Sequence, residues 1–590
     1  MGFQSSCLTV AALLAIATAL TIPGTGSAAA DQRSPSVPVT SATFKDVAAA
    51  AGLNFTHISG ASERKHLPEI LGSGGLFFDF DDDGWVDVFL VDGGSIADPA
   101  VGRRARHRLF RNRRNGTFED ATPGSGIQHR DYGMGACAGD YDNDGLIDLY
   151  VTNVGPNVLY RNAGQGRFTQ VPNAGGADTA MWSTSCAFLD VDRDGDLDLF
   201  VTNYVDIRLP PSRDALRRTG KPDSTSSDPF CGNAGPPPIR DYCHPLIYSP
   251  LTSVLYRNAG NRFEDISKQS GVGAFRGNGL GVAVADVDDD GWPDVFVAND
   301  AMPNFLFHNN GNGTFAEIAS LAGVAVTAGG NAKAGMGTAF ADFSGNGRPG
   351  LIVTNHETEM HSLFVNVDGR LFSDVTVRSG VGAATRPYVG FGVVFFDYDN
   401  DMRLDIAIAN GHVLANVARL RAGGSYAQRR LLLRNNGDRF QDMKDQAGSG
   451  FAPEMVGRGL AAADIDNDGD VDLLVTNNNA PPNLLLNDGG SGNAVIVRAL
   501  GTTGNRSAIG TRLVLTTGQR RQIRDVQSGS SYLAQNDLRA HFGLGQAKQS
   551  ERLEIRWPAG MTEVVENLPA NHVITVREGK GIVGRVPFTR

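Results

Sequence analysis

Seven times between Asp79 and Asp472 the chain returns to a variant of D-x-D-x-D-G-x-x-D, each copy running directly into a short apolar stretch. The copies are DFDDDGWVD from Asp79, DYDNDGLID from Asp140, DVDRDGDLD from Asp190, DVDDDGWPD from Asp286, DFSGNGRPG from Asp342, DYDNDMRLD from Asp397 and DIDNDGDVD from Asp464. Carboxylates this close repel one another, so the cluster persists only if they diverge into water or converge on a cation. Alternate positions with glycine at the sixth fold the side chains inward, and hard oxygens at that spacing suit calcium. An EF-hand would need a bidentate Glu at position 12 and a helix on each side; Leu90 stands there in the first copy and the flanks read as strand. Each copy is therefore expected to be a calcium loop between two β-strands.

Six copies carry all four carboxylates, at positions 1, 3, 5 and 9. They are Asp79, Asp81, Asp83 and Asp87; Asp140, Asp142, Asp144 and Asp148; Asp190, Asp192, Asp194 and Asp198; Asp286, Asp288, Asp290 and Asp294; Asp397, Asp399, Asp401 and Asp405; and Asp464, Asp466, Asp468 and Asp472. Two copies depart from the pattern. In the fifth, Ser344 and Asn346 replace carboxylates and Gly350 removes the ninth-position ligand, so weak or no binding is expected; in the sixth, Met402 replaces the turn glycine. The expected cofactor is Ca2+ at about six sites. These loops hold 24 of the 64 acidic residues, so bound calcium would offset much of the formal charge of −11.

Two further signatures keep the same period. One is a short strand ending in Asn, as in LFRN from Leu109, LYRN from Leu159 and Leu255, and LLLN from Leu484; the other is an aromatic strand such as FEDAT from Phe118 or FSDVT from Phe372. Four short strands per repeat predict propeller blades, and seven repeats predict an all-β, seven-bladed β-propeller over residues 42–488. FKDVA, from Phe44, precedes any loop, and the last LLLN strand has no aromatic strand after it. Phe44 to Val47 is thus expected to complete the seventh blade and remove an exposed edge. From 489 to 579 no Asp loop occurs and short β-type runs alternate with turns, which reads as a separate small β-sandwich-like domain.

Residues 1–30 carry no charge and include LTVAALLAIATALTI ahead of Ala28-Ala29-Ala30, a signal-peptide pattern that predicts a secreted, periplasmic or cell-surface protein. No second run is long enough to span a bilayer. In an exported chain Cys231 and Cys243, within a Pro-rich insertion at 204–250, form a natural disulfide pair; Cys137 and Cys186 either bridge neighbouring repeats or remain buried thiols.

The long insertions fall in the connections between second and third strands, expected on the face opposite the calcium loops. They carry Arg103, Arg104, Arg106, His107 and Arg108, then Arg213, Arg217, Arg218 and Lys221, then Arg419, Arg421, Arg429 and Arg430. Such a face suits an extracellular protein or polysaccharide, anionic in character, unless the arginines pair with local acids. No nucleic-acid motif occurs. His57, Glu69, His356, Glu357 and His412 fall in connections on the same face, but no catalytic motif organises them, so no catalytic residue is assigned.

The loops followed by strands such as LYVTN resemble the FG-GAP or VCBS repeats of integrin-α-type propellers. NRSAIGTRL, VQSGSSYLAQ, HFGLG and LEIRWPAG resemble the ASPIC/UnbV module of the cartilage acidic protein family. The resemblance implies an extracellular calcium-binding protein that mediates interaction or adhesion. A carbohydrate-active lyase or hydrolase on the same scaffold is the alternative, because a propeller hosts many functions.

Overall fold

The computed structural model describes residues 42–128, 131–207, 231–233, 239–420 and 422–589. The apolar stretch at 1–30 lies outside them, as do most of the 204–250 insertion with Arg213, Arg217, Arg218 and Lys221, and Arg421.

The chain is all-β. In the second repeat, Tyr132–Gly139 leads through the Asp loop into Asp148–Val154, then Val158–Asn162 and Phe168–Gln170, paired antiparallel in that order. The pattern follows from composition: the first strand is glycine- and alanine-rich and wholly buried, the second apolar, and the fourth short, with only its aromatic residue buried. Among the described residues seven such four-stranded sheets form. Their inner strands, Gly75–Phe78, Tyr132–Gly139, Ser183–Leu189, Gly279–Ala285, Thr338–Ala341, Gly390–Phe396 and Gly457–Ala463, pack each against the next, and the last packs against the first. Phe44–Asp46 pairs antiparallel with Asn483–Asn487, so the N-terminal strand completes the last sheet.

Side-chain hydrogen bonds join the repeats. The threonine in VTN donates to the following repeat's inner region: Thr354 Oγ1 to the carbonyl of Phe391 at 2.7 Å, Thr476 Oγ1 to that of Ser73 at 2.6 Å. Cys137 and Cys186 form a disulfide between the inner strands of repeats two and three, and Cys231 bonds to Cys243.

The region after 488 folds into two four-stranded sheets, one of Asn493–Leu500, Ala540–Gly545, His572–Arg577 and Gly581–Pro587, the other of Arg512–Thr517, Arg520–Asp525, Gln549–Arg556 and Thr562–Pro569. These sheets pack with the repeats inside one compact unit, Thr40–Arg590. Between the sheets the chain leaves at Val526 and runs through the centre of the ring. There Ala534–Gln535 adds as a parallel strand to Gly75–Leu76. Ser531 exchanges backbone hydrogen bonds with Thr338, and Leu533 N–H donates to Ser185 Oγ at 3.1 Å. Val393 N–H donates to Ser531 Oγ at 2.9 Å and Ala462 N–H to Asn536 Oδ1 at 2.9 Å. Inner-strand glycines permit this: a Cβ on Gly74 would lie 2.5 Å from the Leu533 carbonyl oxygen. One buried cluster accordingly joins Cys137, Phe188 and Leu199 of the repeats to Val495, Leu513 and Trp557 of the C-terminal sheets.

Candidate metal centres

Each Asp loop is a backbone turn tied by its own carboxylates. The first aspartate accepts from the N–H groups of positions five and six: Asp79 from Asp83 and Gly84 at 3.0 and 2.9 Å, Asp140 from Asp144 and Gly145 at 3.0 and 2.8 Å. The turn needs positive φ at position four, Asp82 at 56° in the first loop, and at position six, Gly84 at 84°. Met402 adopts φ 73° at that position and its N–H still donates to Asp397 at 2.8 Å, so the sixth loop keeps the common geometry despite the missing glycine. The fifth also keeps the turn, through Asp342, without the carboxylates of positions three, five and nine.

The ninth-position aspartate has a double role. One oxygen accepts from the N–H of position two and the other from the N–H of the Asn that ends the third strand. Asp87 is held this way by Phe80 and Asn112, Asp148 by Tyr141 and Asn162, Asp198 by Val191 and Asn258. Asp294, Asp405 and Asp472 repeat the arrangement. That Asn in turn donates its side-chain amide to the position-two carbonyl of the preceding repeat: Asn112 to Ile465, Asn162 to Phe80, Asn258 to Tyr141, Asn309 to Val191, Asn366 to Val287, Asn435 to Phe343 and Asn487 to Tyr398, all at 2.7–3.0 Å. The fixed Asn was visible in the sequence; its ring of contacts was not read from it.

The carboxylates fit a hard cation. One oxygen each of Asp79, Asp81 and Asp87 lie within 4.8 Å of one another, as do those of Asp140, Asp142 and Asp148, of Asp190, Asp192 and Asp194, and of Asp286, Asp288 and Asp290. At position three a carboxylate oxygen is buried without a hydrogen-bond partner in Asp81, Asp192, Asp288, Asp399 and Asp466. Buried oxygens without donors are costly, and a divalent ion supplies what they lack. Burial and neighbouring carboxylates push Asp140 up to about 7 and Asp148 to about 9; Asp87 rises to about 9 by the same causes. A cation among them would favour the ionised forms. In repeat four, His308 Nδ1 stands 3.0 Å from Asp294.

The face bearing these loops is covered by the C-terminal sheets. Arg498 pairs with Asp82, Arg512 Nη1 with Asp289 at 2.7 Å, and Arg539 Nη1 donates to Asn467 Oδ1 at 2.7 Å. Position-four side chains thus dock the C-terminal region.

On the opposite face the structure divides the remaining candidates. His57 and Glu69 are buried rather than presented in open connections, and Glu69 accepts from Ser62 and from Tyr242 Oη at 3.1 Å. His412 Nε2 lies 3.5 Å from Glu357, with His356 edge-on at 5.4 Å between ring centres. Because His412 Nδ1 accepts from Leu414 N–H, Nε2 carries the proton, which fixes it as a donor rather than a metal ligand. Several insertion arginines are engaged locally: Arg108 faces Asp120 at 3.6 Å, Arg429 pairs with Asp442 at 2.5 Å, and Arg430 is buried against the Gly450 carbonyl at 2.7 Å.

The model for FG-GAP-like repeats matches residues 79–151, 140–201, 246–297 and 286–353, and that for ASPIC and UnbV matches 501–583. The chain carries FG-GAP repeats and an ASPIC and UnbV domain. FG-GAP units therefore correspond to the Asp-loop sheets, and the ASPIC and UnbV match covers the region that threads the ring. Curated relatives include cartilage acidic protein 1 of Homo sapiens, 29% identical over 59% of this chain and 50% of that protein, and of Xenopus tropicalis, 29% identical over 56% and 48%. The chain spans about half the length of these relatives. Solved structures similar to the FG-GAP chain include an Agrocybe aegerita protein that recognises non-reducing terminal N-acetylglucosamine (16% identity, TM-score 0.37, 70% of this chain and 86% of that one). Another is a Bacillus licheniformis rhamnogalacturonan lyase (12%, 0.33, 75% and 75%). Likeness at this level decides neither ligand nor reaction.

Proposed function

We propose that this chain is an exported calcium-binding propeller that mediates extracellular interaction or adhesion. The observation that carries the calcium reading is the recurrence of converging carboxylates, with a buried, donorless oxygen at position three in five of the six complete loops. Asp79, Asp81, Asp83 and Asp87, and their counterparts in the other complete loops, would hold the ions, which would neutralise the clustered charge and brace the turn between the first two strands. Metal analysis after dialysis against calcium tests this: about six ions per chain are expected, and zero or one would refute it.

Export is supported by the two disulfides and by the extracellular sense of the relatives' name. Among the described residues no helix is long and apolar enough to cross a membrane. With the loop face covered by the ASPIC and UnbV region, the partner surface is the opposite face, where Arg103 and Arg104 are exposed. The partner is an anionic protein or polysaccharide, and a glycan and matrix-protein screen in calcium identifies it. A second reading, a carbohydrate-active enzyme, draws on His356, Glu357 and His412 gathered on that face. Product analysis separates the two, since a binder leaves the glycan intact.

A further inference from the structure

The complete loops differ in one respect outside the ligand set. The residue just before the third-strand Asn is Arg111, Arg161, Arg257, His308, Val365, Arg434 and Leu486 through the seven repeats. In three of them the guanidinium turns back onto the loop of its own repeat. Arg111 Nε lies 2.8 Å from Asp81. Arg161 contacts Asp142 and, through Nη2 at 2.8 Å, Asp144. Arg434 Nη2 lies 2.7 Å from Asp399 and 3.5 Å from Asp401. Arg257 instead pairs with Glu264 at 3.0 Å on the neighbouring strand, and Leu486 has no charge to offer, loop seven meeting instead Arg539 of the C-terminal region, whose Nη2 donates to the Asp464 main-chain carbonyl at 2.8 Å. The degenerate fifth loop, which lacks carboxylates at positions three, five and nine, has Val365 there.

Loop two, doubly contacted by Arg161, leaves no buried donorless oxygen among its four aspartates, whereas Asp81 in loop one and Asp399 in loop six keep theirs beside a guanidinium, as do Asp190 and Asp192 in loop three and Asp466 in loop seven without one, so the division rests on the guanidinium contacts themselves. We propose that Arg111, Arg161 and Arg434 act as built-in counter-ions that set the calcium affinity of loops one, two and six below that of loops three and seven. The proposal rests on the calcium reading. A fixed positive charge about 6 Å from a divalent ion repels it, and in a water-like dielectric the repulsion corresponds to roughly tenfold in affinity. The same charge stabilises the loop when calcium is scarce. Loops one, two and six are then graded sensors, and loops three and seven are constitutive sites. Loop four, with His308 beside Asp294 and Arg512 Nη1 3.9 Å from Asp286, falls between.

Calorimetric titration of the full chain with CaCl2 tests this, alongside the triple variant Arg111→Gln, Arg161→Gln, Arg434→Gln and the single variant Leu486→Arg. The three guanidinium side chains are 28–48% exposed, so glutamine is accommodated. The expected wild-type isotherm has two classes of site. The triple variant should bring the weaker class roughly tenfold tighter, and Leu486→Arg should move one site from the tight class to the weak one. In chelator the triple variant should melt below wild type. A single class in the wild type, or a triple variant whose affinity is unchanged or weaker, would overturn the proposal. If wild type takes up no calcium at all, the calcium reading itself falls and this one with it, which the same isotherm distinguishes.

Discussion

The side-chain amide of Asn112 donates to the carbonyl oxygen of Ile465 at 2.7 Å, joining residues 353 apart in sequence. It is the seam where the first repeat meets the seventh, and six other asparagines make the same bond between consecutive repeats. Each of these side chains is buried, and Asn112 also donates to the Val86 carbonyl at 3.1 Å and accepts from Arg114 N–H at 2.9 Å.

Replacing Asn112 by Leu should therefore cost about 2–4 kcal/mol, because two buried carbonyls and one N–H lose their partners at once. Urea unfolding in calcium measures it. Asn162→Leu, a bond between neighbouring repeats rather than at the seam, should cost a similar amount. A loss below about 0.5 kcal/mol for both would mean that the ring is held without them.

Tyr532 gives a second prediction. Its hydroxyl, on the segment threading the ring, donates to the Leu71 carbonyl at 2.7 Å, and its ring meets Phe391 edge-on at 4.9 Å. The C-terminal sheets are tethered to six inner regions by this segment, so propeller and C-terminal region should unfold together in one calorimetric transition. Tyr532→Phe should lower that transition by about 1 kcal/mol, and Tyr532→Gly by several times more. Two well-separated transitions would show that the segment docks without coupling the parts.

Much of this was legible in the sequence. The Asp loops, the four-strand period and the N-terminal strand of the last sheet followed from spacing alone, because turn geometry and strand alternation are local. The threading of Val526–Arg539 was not legible: SGSSYLAQ reads as a polar loop, and only glycines of distant repeats, Gly74, Gly135, Gly281 and Gly459, make room for it. Nor was the fate of the arginines. Whether Arg161 or Arg429 faces solvent, a partner or its own repeat depends on which strand lies opposite, and pairing across strands leaves no mark in a single sequence.

One substitution in a complete loop should have opposite effects with and without calcium, and one in the degenerate loop should have none. With a dissociation constant of about 10⁻⁴ M, millimolar calcium stabilises the native state by about 1.4 kcal/mol per site. Asp466→Asn should abolish much of one site, lowering the melting temperature in calcium. In chelator it should raise it, since Asp466 adds repulsion to the already destabilised Asp464 and Asp472. Ser344→Ala, in the loop without a full ligand set, should change neither. Scanning calorimetry of both variants with and without chelator reads this.

The chelated protein should also show an inverted pH profile. Burial and neighbouring carboxylates raise Asp79 to about 6, Asp190 and Asp286 to about 7, and Asp87 and Asp148 to about 9. An unfolded aspartate titrates near the ordinary value of about 3.9. Between those limits the native state binds more protons than the unfolded one, so its stability falls as pH rises. In chelator the melting temperature should therefore decline steadily from about pH 5 to about pH 8. In saturating calcium the ions hold the same groups ionised, protons compete with them, and the slope should reverse, with stability growing from pH 5 upward. Melting temperatures at fixed ionic strength across that range check the sign in each condition. A chelated profile that rises with pH would mean that the loop carboxylates are solvated rather than crowded.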